Sequence, residues 1–158
     1  MKYVLMFFTF LSVCNASDLL SIPLTLDDTR DFTIPAGATT VDQTNTISVG
    51  NDPDFQKYLN TIKSYDITSI SIIAESYSGP ATTFTGSISF GTASANFNNW
   101  DLKSTTELML PYTTADLVKI GEAFQSNGSQ NFTIKGTLSN STGGVLKLHV
   151  KVNLKIKV

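Results

Sequence analysis

The end of the chain alternates strictly between apolar and polar side chains from Leu146 onward. The apolar positions are Leu146, Leu148, Val150, Val152, Leu154, Ile156 and Val158, and the polar ones are Lys147, His149, Lys151, Asn153, Lys155 and Lys157. Because successive side chains of a strand point to opposite faces, this pattern predicts a strand with one buried and one wet face. At about 3.3 Å per residue it would extend roughly 40 Å, so we expect a bend or a change of partner along it.

Shorter alternating runs predict further strands over residues 20–26, 31–35, 39–49, 66–77, 82–92, 105–110 and 131–138. Pro23 indicates an edge or sheet-crossing position for the first of them, since proline cannot donate a ladder hydrogen bond. The charged residues 27–31 predict a solvated turn in which Arg30 balances the carboxylates. Two long hairpins are expected, one turning at residues 78–80 and one that joins residues 131–138 to the terminal strand through 139–144.

Two segments carry helical rather than strand signals. Asp52 and Pro53 predict the start of a helix that ends near Ser64 and buries the stripe Phe55, Tyr58, Leu59 and Ile62. Thr113 or Thr114 predicts a second helix start, which ends at residues 126–128 and buries Leu117, Ile120, Gly121 and Phe124. The chain is therefore expected to be all-β, mainly an antiparallel β-sandwich, with two short amphipathic helices.

Residues 1–16 have the composition of an export signal, because Lys2 precedes an apolar run over residues 3–13 that is too short to span a bilayer. Two cleavage sites compete. Residues 11–14 resemble a bacterial lipobox, which would make Cys14 a lipidated first residue, while residues 14–16 resemble a signal-peptidase site that cuts after Ala16. We favour lipidation, because Cys14 is the only cysteine in the chain. Residues 17–158 are expected to form one exported domain in the cell envelope or, alternatively, a secreted one.

Charge and composition limit the classes of partner. Charged residues make up 15% of the chain and the net charge is −2, which gives no reason to expect nucleic acid as a partner. The expected partners are a membrane, through the lipid anchor, and an envelope protein or polysaccharide. The mature domain has no disulfide, and no cofactor is predicted.

The chain shows no recognisable catalytic constellation. Its single histidine, His149, lies between Lys147 and Lys151 on one face, which disfavours the imidazolium form. A single histidine does not make a zinc site, and neither a nucleophile elbow nor a phosphate loop is present. The chain is therefore predicted not to be an enzyme, and a hydrolase is the third choice among its functions.

Two surfaces are candidate binding sites. Trp100 with Asn98, Asn99 and Asp101 could stack on and hydrogen-bond a sugar, although a loop whose tryptophan plugs the open end of the sandwich is favoured. The second surface is the row Lys147, Lys151, Lys155 and Lys157, which could receive an anionic polysaccharide, a lipid headgroup or an acidic protein. For this row a solvated sheet face is favoured, since alternate lysines keep such a face soluble.

Several short motifs resemble those of small exported proteins of Bacteroidota, most of them uncharacterised and lipoprotein-like. They are the signal that ends near Cys14, Phe-Thr-Ile-Pro-Ala-Gly at residues 32–37, Ile-Thr-Ser-Ile-Ser-Ile at 67–72 and Thr-Ala-Asp-Leu at 114–117. The resemblance implies a β-sandwich and an exported location, but no functional residue. The predicted function is a non-enzymatic binding or structural module of the envelope or cell surface, with carbohydrate binding at Trp100 as the alternative.

Overall fold

The computed structural model describes residues 20–158, apart from the side chains of residues 141 and 142, so the predictions for residues 1–16, Cys14 included, lie outside the described part. Six strands are present: β1 Ser21–Ser48, β2 Ser64–Tyr77, β3 Thr83–Phe90, β4 Ala93–Asp101, β5 Leu108–Met109 and β6 Ser129–Lys157. A 3-10 turn at Val49–Asn51 leads into α1 at Pro53–Gln56, and α2 spans Thr114–Asn127. Within residues 20–158, none of the helices is long and apolar enough to cross a membrane.

The C-terminal strand β6 is the centre of the sheet. One of its edges pairs antiparallel with β1, from Ser21 opposite Lys157 to Ser48 opposite Ser129. Its other edge pairs first with β3 and then with β2. All apolar residues of the predicted row from Leu146 to Ile156 are at most 2% exposed, which confirms the buried face. The change of partner lies between residues 138 and 146, before the alternating run rather than within it.

The sheet curls back on itself so that its two halves face each other. β1 is irregular between Ile34 and Thr40, where its pairing with β6 shifts register and Gly37 adopts a φ of +81°. Phe32 lies before this bend and Phe132 pairs with the part of β1 after it, yet their ring centroids are 5.8 Å apart. One hydrophobic core fills the space between the halves. The all-β, sandwich-like fold class is therefore confirmed.

Several predicted turns and hairpins are wrong, because the long strands β1 and β6 continue through segments that were expected to turn. Residues 27–31 continue β1, with Asp28 and Arg30 paired at 2.6 Å. Residues 139–144 lie inside β6, so no second hairpin forms. Likewise β2 and β3 pair with β6 instead of with each other. The edge position predicted from Pro23 is confirmed, since in the described part of the chain β1 pairs with β6 alone.

The two helices differ in how well they match the prediction. The predicted length of the first helix is wrong: α1 ends at Gln56. The residues after it form turns closed by bonds such as that from Tyr58 N–H to the Phe55 carbonyl, at 2.9 Å. Phe55 is fully buried, whereas Leu59 of the predicted stripe is 42% exposed. The second helix is confirmed: α2 is capped by Thr113, ends at a left-handed Gly128 and buries Ile120, Gly121 and Phe124. Leu117, the remaining member of the predicted stripe, is partly buried against the core.

The N-terminus of α2 offers a test of capping. Asp116 N–H donates to the Thr113 hydroxyl at 3.2 Å, and that hydroxyl donates to the Asp116 carboxylate at 2.7 Å. We expect Thr113→Ala to lower the free energy of unfolding by about 1 kcal/mol, measured by urea denaturation at pH 7. Thr113→Ser keeps the hydroxyl and should stay within a few tenths of a kcal/mol of the natural protein. Equal losses for both variants would contradict capping as the cause.

The same cap predicts a pH dependence. Hydrogen bonds from the Thr113 hydroxyl and then from the Thr113 backbone N–H hold the pKa of Asp116 below its usual range. A carboxyl with a lowered pKa stabilises the fold above its unfolded-state pKa, about 3.9, and loses that contribution as the pH falls through the folded value. The difference between the natural protein and Thr113→Ala should therefore shrink in denaturation series taken below about pH 4.

Candidate functional site

His149 is the centre of a charged cluster on the wet face of β6. Its Nδ1 lies 3.0 Å from Glu75 Oε1 and its Nε2 lies 2.8 Å from Asp27 Oδ1. The three residues belong to β6, β2 and β1, so the imidazole links three adjacent strands. We call Asp27, His149 and Glu75 the histidine clasp. Both ring nitrogens are occupied by carboxylates, and neither is directed toward a site for a substrate.

A local irregularity brings Glu75 to the histidine. The pairing of β2 with β6 shifts register between Ala74 and Ser76, which leaves Glu75 as the extra residue of a β-bulge. Bulges redirect side chains in this way. The neighbours of His149 along its own strand are Lys147 and Lys151, so the alternating pattern gives no sign of either carboxylate. No short-range signal could have found them, because Asp27 is 122 residues from His149 in the sequence.

The lysine row of β6 is interleaved with acidic residues from both neighbouring strands. Asp27 lies opposite Lys151, Asp31 opposite Lys147 and Asp66 opposite Lys155. Asp66 also forms an ion pair with Lys157 at 3.0 Å. Carboxylates beside the lysines weaken the field that a polyanion would require. The structure therefore favours the solvated-face interpretation of Lys147, Lys151, Lys155 and Lys157 over an anion-binding surface.

Trp100 lies in the core and not on a loop surface. The residue is 7% exposed and belongs to β4, so the expectation of a loop over residues 96–101 is wrong. Its ring packs edge-on against Phe84, with centroids 6.3 Å apart, and against Phe97 at 5.8 Å. Asn98, Asn99 and Asp101 are exposed beside it. The carbohydrate hypothesis is corrected here, because stacking on a sugar requires an open ring face that this tryptophan does not offer.

An open depression of about 570 Å³ lies between α2 and the start of β2. Gly121 allows the helix to approach the strand there, since a Cβ at this position would lie 2.2 Å from the Tyr65 carbonyl oxygen. Asp66 and Glu122 line the depression together with the exposed side chain of Val118. None of the residues singled out in the sequence as candidate sites lies there. Its walls mix charged and apolar groups without defining one class of ligand.

The described residues form no group of three His, Cys, Asp or Glu side chains able to hold a metal ion. In the histidine clasp the two carboxylates sit on opposite nitrogens of the ring, so a cation cannot be held by all three side chains at once. The arrangement is chemically a cross-strand link made of charged hydrogen bonds.

Comparison with known proteins gives little that bears on identity. No protein-family model matches the chain, and no curated protein matches it. A similar solved structure is the crystal structure of the decameric BFDV capsid protein, with a TM-score of 0.46 and 8% sequence identity. The alignment covers 88% of this chain and 100% of that one. At this level the similarity defines neither a family nor a function.

Proposed function

We propose that this chain is a non-enzymatic structural module of the cell envelope or cell surface, exported and held at a membrane by acyl chains on Cys14. The observation that carries the non-enzymatic part is the histidine clasp. The only imidazole of the chain has both nitrogens bound to carboxylates on an exposed sheet face, where it ties three strands together. Envelope proteins or polysaccharides are the partners that such a module would contact.

The clasp predicts a measurable effect on stability. We expect His149→Gln and Glu75→Gln each to lower the free energy of unfolding, with a coupling energy of about 0.2 to 1 kcal/mol in a double-mutant cycle at pH 6. A cross-strand link produces such coupling because each variant breaks the same contact. Thr44→Val is the control. It removes an exposed hydroxyl that bonds Thr133 at 2.8 Å, in the half of the sheet that does not contain the clasp, so it should not couple to His149→Gln or Glu75→Gln.

A catalytic role for His149 would give a different result. Groups held for catalysis often cost stability, so His149→Gln would then leave the unfolding free energy unchanged or raise it. Additive single variants, with no coupling between His149 and Glu75, would also contradict the proposed link.

The anchoring part of the proposal is tested separately by intact mass and fractionation after expression in a Gram-negative host. We expect a product that begins at Cys14, carries acyl mass and sediments with membranes, whereas Cys14→Ser should move to the soluble fraction. Stable attachment needs more than one acyl chain, so the added mass should correspond to several. A product that begins at Ser17 without lipid would overturn the anchor and leave a periplasmic or secreted module.

A further inference from the structure

The outer edges of the sheet differ in how well they are protected against pairing with another strand. Unpaired strand edges expose N–H and C=O groups to any strand that approaches, and proteins usually block them with charge, proline or covering elements. The strands at the ends of the hydrogen-bonded order are β4, the two-residue β5 and the long β1. The protection of each edge indicates which one is available for pairing.

The β1 edge is blocked in several ways. Asn45 donates its side-chain amide to the Asp31 carbonyl at 3.3 Å, and Gln43 donates to the Thr33 carbonyl, so two outward acceptors are already occupied. Pro23 lacks a donor altogether. A second β1 strand placed antiparallel and centred on Thr29 would also set Asp27 opposite Asp31, and like charges directly opposite are unfavourable.

The outer edge of β2 near its start, around Tyr65, is covered by α2. The helix approaches so closely at Gly121 that there is no room for a Cβ beside the Tyr65 carbonyl oxygen. A strand cannot be added where a helix occupies the space. This part of the sheet is therefore closed as well.

The β4 edge carries no such protection. Residues 93–100 contain no charged residue and no proline, and among the strands of residues 20–158 β4 pairs with β3 alone. The helix α2 lies beside the turn that precedes β4, where Lys119 and Ile120 line a depression with Gly91 and Thr92. Ser94 and Asn96 are exposed along the regular part of the strand.

The hairpin geometry shows which backbone groups are free. Phe90 lies opposite Ala93 across a two-residue turn, and such a closing pair exchanges backbone hydrogen bonds. Because bonded and non-bonded pairs alternate along an antiparallel ladder, Ser94 and Asn96 direct their N–H and C=O groups away from β3. Regular pairing ends at Phe97, since the register shifts before Trp100.

We propose that β4 is a self-association edge, where a second copy of this chain pairs antiparallel about a two-fold axis at Ala95. This register places Ser94 opposite Asn96 of the second copy, and Asn96 opposite its Ser94, so each pair exchanges two backbone hydrogen bonds. A second copy is the occupant that the edge fits, because an uncharged Ser and Asn strand meets itself without repulsion, unlike the acidic β1. Pairing through one strand buries less than the roughly 800 Å² per partner of a standard interface. The dimer is therefore weak, and its population depends on the protein concentration.

The inference goes beyond the proposed function and does not need the lipid. The test uses the Cys14→Ser chain, which cannot be acylated, in sedimentation equilibrium over a wide concentration range. We expect a monomer–dimer equilibrium, with the amides of Ser94 and Asn96 becoming protected from hydrogen exchange as the concentration rises. A chain that remains monomeric up to millimolar concentration would overturn the proposal, whatever the outcome for the anchor.

Paired charges test the register itself. In S94K/N96K each new lysine faces a lysine of the other copy, so we expect the dissociation constant to rise about tenfold or more. In S94K/N96D each lysine faces an aspartate, and the constant should return to within about threefold of the parent value. N60K/T105K adds the same charge as S94K/N96K at exposed positions off the edge and should leave association unchanged. All these positions are exposed, and circular dichroism checks the fold; equal weakening in the two β4 variants would refute the two-fold pairing at Ala95.

Discussion

We expect Trp100→Ala to lower the free energy of unfolding by about 3 to 5 kcal/mol, measured by urea denaturation. The indole is 7% exposed and lies between the rings of Phe84 and Phe97, so its removal takes away contacts on both sides and leaves a cavity. The neighbouring strands are held by the ladder to β6 and cannot collapse fully into that space. The loss should therefore lie well above that of an ordinary surface variant, which is within about 0.5 kcal/mol.

Two variants sharpen this test. Trp100→Phe keeps most of the packing and removes a buried indole N–H that has no hydrogen-bond partner among residues 20–158, so it should cost much less than Trp100→Ala. Met109→Ala removes a large side chain that is 57% exposed and should be nearly neutral. If Trp100→Ala instead left stability intact and abolished retention on a polysaccharide, the ring would be a ligand contact and its placement in the core would be wrong.

The sequence predicted which residues are buried better than it predicted which strands are paired. Alternation between apolar and polar residues depends only on neighbours along the chain, and it identified the buried face of β6 from Leu146 to Ile156. The second helix was predicted for the same reason, because Thr113, Asp116 and Gly128 act within one or two turns of the helix ends. Both of these predictions, which depend on residues close in sequence, were therefore confirmed.

Pairing failed where distant segments compete with a local turn. Residues 27–31 and 139–144 carry turn-forming residues, yet both lie within strands, since residues 27–31 pair with residues 147–151 and residues 139–144 continue β6. The turn at residues 78–80 suggested that β2 and β3 are partners, but the two strands pair with different stretches of the same edge of β6 and not with each other. A local turn motif indicates that the chain changes direction, but it does not determine which strand the next segment pairs with.

The candidate site was missed for the same physical reason. The charge environment of His149 was assigned from Lys147 and Lys151, whereas the hydrogen bonds come from Asp27 and Glu75 on the strands to either side. Glu75 reaches the ring only because β2 bulges there, and a one-residue bulge leaves no distinct mark in an alternating sequence. In a sheet protein, the electrostatics of a face follow from register, which the sequence alone does not fix.

We expect Phe132→Ala to lower the free energy of unfolding by about 3 to 5 kcal/mol, since the ring is fully buried between the two halves of the curled sheet. It contacts Phe32 on the facing half at 5.8 Å and Phe90 on the adjacent strand at 5.2 Å. For a domain of this size the loss corresponds to a fall in melting temperature of roughly 6 to 20 °C, which calorimetry would measure. Val118→Ala is the control, because Val118 is 53% exposed and its truncation should be close to neutral.

A double-mutant cycle between the two halves shows whether they act as one cooperative unit. Phe90 shares the contact with Phe132 but lies on β3, so both rings belong to one half of the sheet, and Phe32 alone belongs to the other. If the halves unfold together, Phe32→Ala and Phe132→Ala should couple in a double-mutant cycle by about 0.5 kcal/mol or more, with one transition seen by every probe. Separate transitions would mean that β1 and β6, although continuous through both halves, do not transmit stability past the bend near Gly37, and the curled sheet would then be two units joined by two strands.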